Sequence, residues 1–146
     1  MIIPPIPEAA INLIKQFEGC RLGRYADSAG NSTIGYGHLC KAGDGLDYIS
    51  PELADDILRD DAKHAAAAVV RYTKVPLTNN QYAALIDFVF NEGAGSFQRS
   101  MLLQKINRSE FDEVPKEFLK WVWIGANRSK GLTRRRKAES ELFMRE

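Results

Sequence analysis

The segment from Ser50 to Tyr72 constrains the fold more than any other part of this chain. Ser50-Pro51 has the chemistry of an N-cap followed by the first helical position. Behind it, Leu53, Ile57, Leu58, Ala62, Ala65, Ala66 and Val69 return with helical period. A helix of that length runs on the order of 30 Å at about 1.5 Å per residue, enough to join two lobes. Pro76 closes the segment. With 146 residues, one domain around its own core is the expectation, so such a helix should cross most of the molecule.

The flanks of this helix differ in kind. On the N-terminal side, three early prolines end an extended leader. Ala10, Leu13, Ile14 and Phe17 then mark a short helix that Gly19 ends, which puts Glu18 on its last turn. Seven glycines lie between residues 19 and 45. Two β-like pieces, Arg24 to Ala26 and Thr33 to Tyr36, are separated by the turn chemistry of Ser28-Ala29-Gly30-Asn31, which predicts a small hairpin. On the C-terminal side, Thr78-Asn79-Asn80-Gln81 is a capping box. Tyr82, Leu85, Ile86, Val89 and Phe90 follow as a strongly buried helical face, which Gly93 and Gly95 break. Further helices are predicted at 97–107, at 110–124 and from Thr133 onward. The fold class is therefore α+β and mostly helical: a β-containing lobe over about 12–60 and a helical lobe over about 61–146, joined by the long helix in one domain.

A hydrophobic fraction of 45% and 14 aromatic residues exclude a disordered chain. The net charge of +1 argues for no polyanionic partner, but its distribution is uneven. Residues 128–137 carry Arg128, Lys130, Arg134, Arg135, Arg136 and Lys137 with no acid, whereas 52–61 are acidic. The N-terminus has no basic region followed by a long apolar one, so synthesis and folding in the cytoplasm are expected. Two cysteines, Cys20 and Cys40, are too few for a disulfide scaffold. They are read as free thiols, with a single bridge worth about 3 kcal/mol as the alternative.

Paired acids are the strongest chemical signal. Cleavage of a glycosidic bond needs one carboxyl group to protonate the leaving oxygen and a second to steer water or stabilise positive charge. Glu18 ends a helix with an apolar stripe. Desolvation and the negative helix terminus would both favour its protonated form. Asp27, in a polar turn, should stay ionised. Thr33 offers a neutral hydroxyl that can both donate to and accept from one water. Nineteen acids occur in the chain, so spacing by itself leaves this pair one among many.

Phe17-Glu18-Gly19-Cys20-Arg21-Leu22, Tyr25-Ala26-Asp27-Ser28-Ala29-Gly30 and Thr33-Ile34-Gly35-Tyr36-Gly37-His38 together resemble the phage-type lysozymes of glycoside hydrolase family 24. The family pattern places a Glu, eight residues, an Asp, five residues and a Thr, and Glu18, Asp27 and Thr33 meet it without insertion. The likeness continues through residues 76–82, 90–93 and 131–139. It implies a lysozyme-like fold and an endolysin that hydrolyses the β-1,4 bond between N-acetylmuramic acid and N-acetylglucosamine in peptidoglycan, causing host-cell lysis. Glu18 would be the general acid and Asp27 would direct water with the help of Thr33. It also implies no metal or cofactor, a monomer, and a holin that lets the enzyme pass from the host cytoplasm to the cell wall.

Tyr36, His38, Phe90, Asn91 and Gly93 are candidate substrate-binding residues under this resemblance, with plainer alternatives beside them. His38 can instead lock its loop with a structural hydrogen bond, Phe90 can be core, and Asn91 can cap its helix. His64, among alanines, should face solvent. Trp121 and Trp123 should point to different faces, one to the core and one partly exposed. Cys20, His38 and Cys40 lack paired metal-ligand spacing, so no metal site is assigned. The Arg134-Arg135-Arg136-Lys137 run reads as a solvated helix face or an anionic-membrane contact rather than a specific nucleic-acid site. If Glu18 has a cationic neighbour, one of these arginines is the candidate. Two rival readings remain: a lytic transglycosylase, which needs the Glu but no water-directing Asp, and a non-enzymatic cationic protein that disrupts membrane or wall.

Overall fold

The computed structural model describes residues 1–145. Helix α1 (Glu8–Glu18) buries Ala10, Ile11, Leu13 and Ile14 and ends at Gly19, whose positive φ of 68° turns the chain away. Strands β1 (Arg21–Ala26), β2 (Ser32–Gly35) and β3 (His38–Leu39) form one antiparallel sheet in sequence order. Thr33 is the hinge of the register, paired with Tyr25 on one side and Leu39 on the other. The predicted hairpin is thus present, with a third short strand added.

Helix α2 (Pro51–Tyr72) starts as expected, with Ser50 Oγ accepting from the Leu53 amide at 3.0 Å. Its first turn covers a small core of Ile34, Ile49 and Ala54 under the sheet. Leu58 to Val69 continue into the main core. One helix therefore belongs to both apolar clusters and connects them.

Helix α3 (Asn79–Glu92) is the centre of the helical lobe. Its capping box is complete: Gln81 N–H donates to Thr78 Oγ1 at 3.1 Å and Thr78 N–H to Gln81 Oε1 at 2.9 Å. Tyr82 through Val89 are all buried, so neighbours surround it on every side. It packs on α1, on α2 and on the last helix, α7 (Lys130–Met144). Phe88 anchors the aromatic core, edge-on to Phe97, Phe118 and Trp121. The leader is tied to this helix, with Tyr82 donating to the Pro4 carbonyl at 3.0 Å.

Three expectations are corrected here. The helix predicted over 97–107 is two, α4 (Ala94–Arg99) and α5 (Met101–Asn107), because Ser100 leaves the helical conformation and caps α5 through Leu103 N–H at 3.0 Å. The helix predicted over 110–124 reduces to a 3-10 turn at Phe111–Glu113 and a short α6 (Val114–Phe118). Pro115 is accommodated only in a first helical turn. Beyond it, β4 (Trp123–Ile124) and β5 (Asn127–Arg128) pair around Gly125, at a φ of 59°. The tryptophans separate as expected, Trp121 against Phe88 and Trp123 exposed, although neither sits on a helix.

The third correction concerns the basic run. Arg135 is 4% exposed and Arg136 is fully buried, while Arg134 and Lys137 face solvent. Arg136 lies over the Phe88 ring and engages Glu139 at 2.9 Å, Glu92 at 3.3 Å and Asn91 Oδ1 at 2.5 Å. The helical period splits the run between a core face and a solvent face, so it is no continuous cationic stripe.

Burial pushes the Glu139 carboxyl well above the usual carboxylate range, and neighbouring Asp87 adds to the rise. A folded acid that holds its proton longer than the unfolded chain stabilises the fold at low pH. That contribution is complete below the ordinary value of 4.5 and declines as pH rises through the raised folded value. In thermal unfolding, the midpoint of wild type relative to Glu139→Gln should therefore fall steadily from pH 4 towards neutrality. A constant difference across that range would contradict the assignment.

Candidate active site

Glu18 leaves the last turn of α1 with its side chain 22% exposed. Its Oε1 lies 2.8 Å from where a Cβ on Gly37 would stand, and Gly37 has a φ of 77°. Any side chain at 37 would be strained and would drive the carboxyl out of place. On the other side, Arg135 Nη1 donates to Glu18 Oε2 at 2.5 Å. The carboxyl is thus held between the β2–β3 turn and α7. A guanidinium therefore touches the carboxyl. The arginine comes from the basic run, as the sequence allowed.

Arg135 is in turn gripped by Asp87 of α3, through Nε to Oδ2 at 2.9 Å and Nη2 to Oδ1 at 2.8 Å. Burial opposes the arginine's charge. The hydrogen bonds and charge of Asp87, followed by those of Glu18, outweigh burial and push the guanidinium above its ordinary value. Its plane also lies 5.7 Å from the Phe17 ring centre.

Asp27 and Thr33 are joined through Asn31. Asp27 Oδ1 accepts from the amides of Ala29 at 2.9 Å and Asn31 at 2.8 Å. Thr33 is 3% exposed, and its hydroxyl donates to the Asn31 carbonyl at 2.9 Å. Backbone donors orient the carboxylate. With its proton committed to Asn31, the Thr33 oxygen is left to accept.

A groove of about 510 Å³ runs between the sheet, α2 and α3, and Gly37, His38 and Phe90 line it. Gly37 borders both this groove and the Glu18 carboxyl, although Glu18, Asp27 and Thr33 are not themselves among the lining residues. His38 faces the groove and also makes the structural contact, Nδ1 to Asp61 Oδ2 at 2.7 Å, which fastens β3 to α2. Phe90 is half-buried at the same wall and packs on the main core. Tyr36, Asn91 and Gly93 are not among the lining residues. The Tyr36 ring bridges the two apolar clusters beneath Lys15, Asn91 Oδ1 is taken by Arg136, and Gly93 ends α3 with a φ of 94°. A larger hollow of about 660 Å³ lies between α1 and α7, lined by Phe17, Arg134 and Lys137 among others. Its one acid is Glu141, so it offers no pair of carboxyl groups.

Among the described residues, no group of three His, Cys, Asp or Glu side chains is placed to hold a metal ion. Both cysteines are free thiols, Cys20 exposed and Cys40 half-buried. No described helix is long and apolar enough to cross a membrane. What these residues offer chemically is a carboxyl held against Gly37 at the edge of a groove, and a second carboxylate and a hydroxyl tied together through Asn31. Sequence reasoning missed Gly37, Asn31 and Asp87. Only Asp87 left a signal, as a lone acid inside the apolar run Ala83 to Val89.

A family model described as phage lysozyme matches residues 15–139. The endolysin of Acyrthosiphon pisum secondary endosymbiont phage 1 is 41% identical over 142 residues, covering 94% of this chain and 97% of that protein. The endolysin of Bacillus phage B103 is 40% identical over 141 residues, 95% of this chain. The chain spans about half the length of that relative, 54%. Among solved structures, the muramidase domain of SpmX from Asticaccaulis excentricus superposes with a TM-score of 0.89 at 34% identity. That match covers 97% of this chain and 99% of the domain.

Proposed function

Since the chain belongs to the phage lysozyme family, we propose that it is an endolysin hydrolysing the β-1,4 bond between N-acetylmuramic acid and N-acetylglucosamine in bacterial peptidoglycan. The observation that carries this reading is the Glu18 carboxyl held against Gly37 at the groove's edge, with the Asp27 carboxylate held by backbone donors in the β1–β2 turn. Glu18 gives its proton to the glycosidic oxygen as the bond to the sugar carbon breaks. A water molecule attacks that carbon, and Asp27 takes the proton it releases. Thr33 accepts a hydrogen bond from the same water. His38 and Phe90 line the groove in which the sugars would lie, and the Phe90 ring offers an apolar face to one of them.

The unit that does this is one catalytic domain with lobes over about 12–60 and 61–146. It works as a monomer, reaching the cell wall from the host cytoplasm with the help of a holin. Mass analysis of digested, purified peptidoglycan tests the reaction directly. Reducing N-acetylmuramic ends that carry one added water are expected. Anhydro-muramic ends would replace the hydrolase by a lytic transglycosylase, in which the sugar's own hydroxyl attacks.

A further inference from the structure

Asp87 is fully buried at the middle of α3, where an ionised carboxylate is costly unless paired. Its two oxygens take Nε and Nη2 of Arg135, and the remaining nitrogen, Nη1, rests on Glu18. One guanidinium is therefore shared by a buried carboxylate and by the carboxyl beside the groove. Standing alone, a guanidinium in contact with Glu18 would keep it ionised, the wrong state for an acid. The other charged groups around the pair are Arg136 and Glu139 on α7 and Glu92 on α3. Arg136 is occupied with Glu92 and Glu139, and Glu139 is a buried carboxyl neighbouring Asp87. From the sheet the neighbour is Gly37, which is uncharged. On α1, Lys15 is turned to Asp55 of α2 at 2.6 Å.

We propose that Asp87 is a positioning residue for Glu18: its two-point grip aims the free Arg135 nitrogen at the Glu18 carboxyl and offsets enough of that cation's charge for Glu18 to carry a proton. The inference rests on Glu18 being the acid, and it deepens that reading by assigning a distant residue to control of its protonation. Asp87 touches neither the groove nor the substrate and acts through Arg135.

Asp87→Asn keeps the shape of the side chain and removes its charge. The alkaline limb of the kcat profile should move to lower pH by about one unit, which is about tenfold in activity above the limb. The acid plateau should stay within about twofold and KM should hold, because ground-state contacts are untouched. An equal loss at every pH with the limb in place would mean a merely structural role and overturn the proposal. A second readout does not depend on the reaction: carbon NMR titration of the Glu18 carboxyl, whose midpoint should be lower in Asp87→Asn than in wild type. An unmoved midpoint overturns the coupling. A moved midpoint in a protein that does not cut peptidoglycan would uphold the coupling and reject only the proposed function. Should Asp87→Asn not fold, Asp87→Glu retains the charge and should keep the wild-type limb even if kcat falls. A limb displaced to lower pH in that variant overturns the proposal as well.

Discussion

Glu18→Gln is expected to slow lysis of purified peptidoglycan by about 10²–10⁴-fold, the range for loss of a positioned general acid. Glutamine keeps the size of the side chain and can still accept from Arg135 Nη1, but it has no proton of the required acidity to give. The fold should survive. Arg135 keeps its two hydrogen bonds to Asp87, so its buried charge is not left alone. Glu18 itself is partly exposed and ends its helix. Far-UV circular dichroism and the unfolding midpoint should therefore match wild type while turbidity clearing is lost. Lytic activity within tenfold of wild type would reject Glu18 as the acid.

The largest effect on stability is expected at Arg136. The side chain is fully buried, lies over Phe88, and serves Glu139, Glu92 and Asn91 together. Burial disfavours its charge, and the nearby carboxylates of Glu139 and Glu92 act against that penalty. Arg136→Met fills most of the volume but leaves these polar groups without their cation. Removing one partner of a buried pair costs about 3–5 kcal/mol. At roughly 2–4 °C per kcal/mol for a chain near this size, the midpoint should drop by roughly 10 °C. Adding Glu139→Leu should recover much of the loss, since apolar replacement of a whole buried pair is often neutral. Activity per folded molecule should be kept, because the contacts of Arg136 lie with Glu92, Asn91 and Glu139 rather than with Glu18. A drop under about 1 kcal/mol in chemical denaturation would show that the cluster contributes little.

The two results probe different layers of one buried chain of charges. Glu18, Arg135 and Asp87 link the groove to the interior of the helical lobe. Glu139 and Arg136 continue that chain to Glu92 at the end of α3. Residues separated by as many as 117 positions in sequence meet in it. The basic run illustrates the consequence. In sequence, Arg134, Arg135, Arg136 and Lys137 are alike, and a solvated face is the natural reading. In the fold, two of them are interior and each has a distinct set of acids.

Much of the site's skeleton was nevertheless legible. The helix end at Glu18, the polar turn at Asp27 and the strand at Thr33 were all readable, because turns, caps and alternation act over a few residues. His38 shows a middle case. The structural hydrogen bond that fastens β3 to α2 is present, and the same ring also lines the groove. The 110–124 segment shows where local reading failed. Helix there is confined to a 3-10 turn and the short α6 that begins around Pro115, and beyond it the chain turns at Gly125 into a hairpin.

Sequence alone therefore determined the long connecting helix, the capping box at Thr78 and the spacing of Glu18, Asp27 and Thr33, all set by forces between near neighbours. Tertiary structure alone decided which arginine meets Glu18, that Asp87 holds it, and that Gly37 leaves room for the carboxyl. Those choices depend on which faces of α1, α3 and α7 pack together, and a buried charge takes the partner that packing brings within hydrogen-bond reach.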